Sequence, residues 1–249
     1  MGAAESCHGQ MPLTAVRGVC EDADAEAQPH QRTNPRRQPD DQARGSDRST
    51  IDCGQNAGVL APDLPIHTER LVLRWYESGD YDALHAIISR ADVNRFLYTE
   101  PRDEDETAEL LARKMGKTEL LDEDDWLSVA VCLRETGELV GETLLHWVSE
   151  KHKVGEIGFM FHPDHHGRGY ATEAARPLMG FGFEACGFHR IIGRLEARNA
   201  ASARVLEKLG MRREALLIEN EWVKGEWQSE MDYAILEREW RAQRDLSRA

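Results

Sequence analysis

The chain has 249 residues, 41% of them hydrophobic and 31% charged, and a formal net charge of −14 at pH 7. So acidic a chain offers no basic face to a nucleic acid backbone. It has no apolar run of about 18 residues and no basic, apolar leader, so no membrane partner is expected and a cytoplasmic location is.

Residues 1–64 stand apart from the rest. They contain no Trp, Tyr or Phe and carry 6 basic against 10 acidic residues, and runs such as Asn34-Pro35-Arg36-Arg37-Gln38-Pro39-Asp40-Asp41 have nothing to bury. Such a segment is expected to be disordered, which leaves a folded domain over 65–240 and a short polar tail over 241–249. Within the domain, Arg70 to Trp75 alternates as a half-buried strand, and Asp80 to Arg90 follows as a helix with Leu84, Ile87 and Ile88 on one side. A second helix fits Glu104 to Leu121. Trp126 to Leu133 and Leu139 to Val148 form a hairpin across Thr136-Gly137 that continues into a third strand, Val154 to Phe161. A glycine-rich loop then leads into a helix over Thr172 to Cys186, a strand over Arg190 to Leu195 and a helix from Ala200. Met211 to Trp222 and Glu226 to Leu236 pair across Lys224-Gly225. This order implies a mixed α/β sheet.

The five cysteines, at 7, 20, 53, 132 and 186, have neither CxxC nor Cys/His spacing and read as reduced thiols. His162, His165 and His166 read as loop residues, so no metal is expected. The informative segment is His165-His166-Gly167-Arg168-Gly169-Tyr170-Ala171-Thr172. A glycine loop ahead of a helix start presents backbone N–H groups and the positive end of the helix dipole, without Cβ atoms in the way, which suits a pyrophosphate. Thr172 stands where a dinucleotide-binding loop needs its third glycine, and no Gly-Lys-Ser/Thr follows, so neither of those loops fits. A second block, Asn199-Ala200-Ala201-Ser202 through Lys208-Leu209-Gly210-Met211, comes after the next strand.

Together the two blocks resemble the GNAT superfamily of acetyl-CoA-dependent N-acetyltransferases, most closely the branch that acetylates N-terminal amines of ribosomal proteins, over roughly Leu64 to Leu236. The family signature Gln/Arg-x-x-Gly-x-Gly/Ala falls on His166, Gly167, Arg168, Gly169, Tyr170 and Ala171. His166 departs from it, and Arg168 could supply the missing charge. The resemblance implies a mostly antiparallel α/β sheet splayed between its fourth and fifth strands for the cofactor's pantetheine arm, with flanking helices. It also implies acetyl-CoA as co-substrate, held by Phe159, Met160, Phe161, the loop from His166 to Thr172, and Asn199. A backbone amide near Met160 to Phe161 would face the thioester oxygen, and Ser202 would protonate the departing thiolate. Asn199 could equally cap the helix that begins at Ala200.

An attacking amine must be neutral, so a base is needed. Glu221 and Glu156 are the two candidates, with Glu221 preferred and Glu156 open to an ordinary solvated role. The acidic runs Asp103 to Glu106 and Asp122 to Asp125 could steer a cationic acceptor or be solvated helix ends. Of Trp147, Trp222 and Trp227, two are expected to be packing residues. The expected function is direct acetyl transfer to a cationic amine, either a protein N-terminus or a small molecule, by a monomer or homodimer. The other reading is a CoA-binding module without turnover.

Overall fold

The computed structural model describes residues 60–248. Eight strands form its sheet: β1 Ile66–His67, β2 Leu71–Arg74, β3 Trp126–Leu133, β4 Leu139–Ser149, β5 Val154–Phe161, β6 Arg190–Glu196, β7 Arg212–Val223 and β8 Glu226–Leu236. Helices α1 Tyr81–Ile88, α2 Ala91–Asn94 and α3 Glu104–Gly116 lie between β2 and β3; α4 Tyr170–Glu184 joins β5 to β6, α5 Ala200–Lys208 joins β6 to β7, and α6 Glu237–Arg248 follows β8. The spatial order is β1-β2-β3-β4-β5-β6-β8-β7. Only β5 and β6 run parallel, and the chain passes between them through the crossover helix α4.

Alternation along the strands divides the apolar residues between two faces. Val129 and Val131 on β3 and Ile157, Phe159 and Phe161 on β5 join a core formed with α4, α5 and Trp240 of α6. Ala130, Cys132 and Met160 point the other way, into a smaller cluster with Leu84 and Ile87 of α1 and Leu110 and Leu111 of α3. A fully buried Lys114 on α3 reaches through that second layer. Its ammonium lies 2.8 Å from the Glu142 carboxylate, which also accepts from the Tyr76 and Ser128 hydroxyls at 2.8 and 2.9 Å. Burial opposes the charge on Glu142, but the ammonium and both hydroxyls outweigh it and hold the carboxyl below its ordinary range.

Several element ends differ from the sequence reading. Helix α3 stops at Gly116 rather than Leu121, because Lys117 turns to Asp125 at 2.8 Å and Leu120 bridges to Leu60. Leu60 and Leu64, placed by sequence in the disordered segment, pack against the main core; residues 1–59, and with them Cys7, Cys20 and Cys53, lie outside the described residues. Residues 241–248, expected as a polar tail, continue α6, anchored by the buried Trp240 against Phe183. Cys132 and Cys186 are free thiols. Among the described residues no helix is long and apolar enough to cross a membrane.

Candidate active site

The ladder between β5 and β6 holds only three pairs, Val154 with Arg190, Gly155 with Ile191 and Glu156 with Ile192. Beyond them the strands part, while β5 stays paired to β4 as far as Phe161. This is the expected splay; it falls between β5 and β6 because the short β1 adds one strand to the count. His162 donates its amide to Val140 O at 2.9 Å, so by alternation Phe161 and Phe159 direct their amides away from β4 and into the cleft. Met160 faces β4 with its backbone and the α1–α3 cluster with its side chain. The amide expected near Met160 to Phe161 is therefore that of Phe161.

At the end of β5 the glycine loop enters α4. Gly167 and Gly169 have φ of +73° and +83°, a left-handed backbone that suits glycine. Gly169 is the N-cap and no side chain caps the helix, so the N–H groups of Tyr170, Ala171 and Thr172 point out of its first turn. Helix α4 thus starts two residues before the sequence expectation, which puts all three amides in its first turn. Thr172 Oγ1, in the same first turn, is buried without a hydrogen-bond partner. Arg70 holds the loop from behind: it donates to Arg168 O at 2.9 Å, pairs with Glu173 at 2.7 Å and lies over the Tyr170 ring. The His166 ring does not face the cradle opening; its Nε2 donates to Phe161 O at 2.8 Å, and burial lowers its proton affinity. The Arg168 side chain is exposed. The amides, the hydroxyl and the absence of Cβ atoms fit a diphosphate.

Asn199 and Ser202 are fully buried at the start of α5. Asn199 Oδ1 accepts the Ser202 amide at 3.1 Å, so the cap uses the serine's backbone.

On the opposite face of the sheet, β5, β6 and β8 form a polar floor. Register brings Arg194 beside Asp232 and Glu196 beside Glu230, and Glu221 beside Gln228. Glu156, read from sequence as open to solvation, is 1% exposed and pairs with Arg194 at 2.7 Å. Burial raises its pKa and Arg194 opposes; with Glu230 nearby the balance leaves it at about 7. Glu221 lies farther out and accepts from the Tyr98 hydroxyl at 2.5 Å. Tyr98 sits on the loop after α2, and Lys224 at the β7–β8 turn ties that loop down by donating to Asn94 O and Thr99 O at 2.7 and 2.6 Å.

Sequence reasoning missed Gln228, Glu230 and Asp232. Their signal was polarity at every second residue of a strand with neighbours on both sides. Part of each acidic run flanking α3 serves locally: Asp103 and Glu106 form its capping box, and Asp125 gathers Lys117 and the amides of Leu121 and Asp122. Of the three tryptophans only Trp147 joins the core, against Phe188, while Trp222 and Trp227 pack edge to face on each other. Trp222 and Trp227 are 61% and 57% exposed, because they sit at the tip of a hairpin that projects past β6. Among the described residues no cluster could hold a metal.

A splayed sheet with a diphosphate cradle at one end defines an acyltransferase that draws on a CoA thioester. Residues 70–212 match the acetyltransferase (GNAT) domain family. The chain is 32% identical over 175 residues to an uncharacterized N-acetyltransferase of Bacillus subtilis strain 168, YnaD, covering 70% of this chain and 98% of that one. An acetyltransferase of the GNAT family from Bacillus anthracis superposes with a TM-score of 0.62 at 34% identity, covering 70% of this chain and 98% of its own. A spermidine N-acetyltransferase from Vibrio cholerae, solved with CoA and spermine, shares the fold at 21% identity and a TM-score of 0.60, over 70% and 99% of the two chains. The chain belongs to the GNAT family and is an acetyl-CoA-dependent N-acetyltransferase.

Proposed function

We propose that the enzyme acetylates a primary amine of a small cationic acceptor by direct transfer, in the cytoplasm. Acetyl-CoA supplies an activated thioester and a thiol leaving group. Gly167 to Thr172 take the diphosphate on their amides and the Thr172 hydroxyl, and Asn199 orients the pantetheine arm. The Phe161 amide, with Phe159 behind it, stabilises charge on the carbonyl oxygen. Ser202 gives a proton to the departing sulfur. Glu156 removes the amine's proton, directly or through one water. Glu156 is favoured over Glu221 because it lies where the strands part and its pKa of about 7 suits a base at neutral pH.

The observation that supports a small acceptor is the closure of the far end of the floor. Tyr98 bonds to Glu221, and Lys224 holds the Tyr98 loop at two carbonyls, which ties that end of the floor shut where a protein N-terminus needs an open mouth. Thiol release from acetyl-CoA by the full chain, with small amines and with basic peptides, tests this. Release with small amines alone is expected. Release with peptides alone would overturn the small acceptor, and CoA binding without release in any arm would identify a module that lacks turnover.

A further inference from the structure

The transfer chemistry gives the His166 side chain no role, yet the residue is buried, 6% exposed, between the diphosphate cradle and the thioester seat. In a strand the N–H and C=O of one residue point to the same side. The His162 amide faces β4, where it meets Val140 O at 2.9 Å, so both polar groups of the Phe161 backbone face the cleft. One is the amide that meets the thioester oxygen. The other is a carbonyl, whose negative end lies beside the place where the transition state gathers negative charge. Left bare, it would oppose the charge that the amide stabilises.

The His166 ring occupies that carbonyl. Its Nε2 lies 2.8 Å from Phe161 O in a buried bond, and because a carbonyl only accepts, Nε2 carries the hydrogen. The peptide between Phe161 and His162 is thereby held at both ends, its N–H by Val140 on β4 and its C=O by His166. This happens where β6 no longer pairs with β5, so no neighbouring strand holds that side. The ring reaches back because the turn Pro163–His165 reverses the chain, closed by the His166 amide on Pro163 O at 3.0 Å. The next residue, Gly167, opens the cradle with φ of +73°. His166 therefore joins the two seats, the cradle through its backbone and the thioester strand through its ring.

We propose that His166 is a positioning residue for acetyl transfer: by holding Phe161 O, it aims the Phe161 amide at the thioester carbonyl and fixes the distance from that amide to the cradle. This rests on the transferase reading and needs no contact between the ring and the acetyl group.

The test reads the C=O stretch of acetyl-CoA, isotope-labelled at its carbonyl carbon and bound to the full chain, beside steady-state thiol release. In the parent the stretch should fall below its solution frequency. His166→Leu should return it toward that frequency and lower kcat about ten- to a hundredfold, while acetyl-CoA affinity and the amine KM stay close to the parent's. His166→Gln, whose side-chain amide also donates, should restore both readings. His166→Asn, whose shorter amide falls short of the carbonyl, should not, and it carries the comparison with His166→Gln should the leucine variant not fold. If the bond only stabilised the loop, the melting temperature would fall while stretch and kcat stayed at parent values, which would overturn the proposal. A loss of acetyl-CoA affinity with kcat unchanged would overturn it too, by putting the ring at the diphosphate. A shifted stretch without thiol release from any amine would sink the transferase reading and leave the aiming of the amide in place.

Discussion

Glu156 is pulled in opposite directions by burial and by the Arg194 guanidinium, with Glu230 adding to burial and His146 across the β4–β5 ladder. Because its folded pKa is raised to about 7, its contribution to stability is full at acid pH, below the ordinary carboxyl range, and is lost as pH rises through about 7. Denaturant unfolding between acid and neutral pH should show that loss in the parent and a flatter profile in Glu156→Gln. Activity should run the other way: kcat/KM should climb with pH through the same region, and Glu156→Gln should lose about a hundredfold or more together with that limb. In the cradle, a Cβ built at Gly169 meets only Arg70 Nη2 at 3.5 Å, so space is not the obstacle. The backbone is, and Gly169→Ala should cost about 1–3 kcal/mol of strain and weaken CoA binding as read by calorimetry. Thr172→Val removes an unpaired buried hydroxyl, so CoA affinity should fall without a matching loss in melting temperature.

At the scale of elements, the acceptor trough depends on parts held in place from a distance. Helix α3 forms one side of the α1–α3 layer and is pinned through Lys114 to Glu142. Lys114→Met would strand a buried carboxylate and should cost about 3–5 kcal/mol in urea unfolding. Replacing both residues with apolar ones should recover most of that. The loop after α2 is held by Lys224, so K224M should raise the acceptor KM more than it changes kcat, measured by steady-state thiol release. The turn itself was legible, since Lys224-Gly225 between two apolar runs reads as a hairpin, and both residues have positive φ. That its lysine reaches Asn94 and Thr99 was not, because those residues are over a hundred positions away in sequence. Helix α6 was missed because its single buried aromatic, Trp240, gives little periodicity among so many charges.

Across the whole molecule, the charge of −14 favours the approach of cations. The acceptor's kcat/KM should therefore fall as ionic strength rises.

The sequence alone determined the meander from Trp126 to Phe161, the crossover through α4 and the glycine loop ahead of it, because these rest on local periodicity and on glycines whose backbone demands are local. It also supplied Asn199 and Ser202 as a pair. Only the tertiary structure decided which carboxylate is buried. Glu156 and Glu221 look alike in sequence, and it is the pairing of β5 with β6 and the stacking of β8 beside them that surrounds one with low dielectric and Arg194 while leaving the other at the rim with Tyr98. The polar row of β8 became a floor for the same reason: a strand's alternation shows that two faces exist, and long-range packing chooses what each face meets.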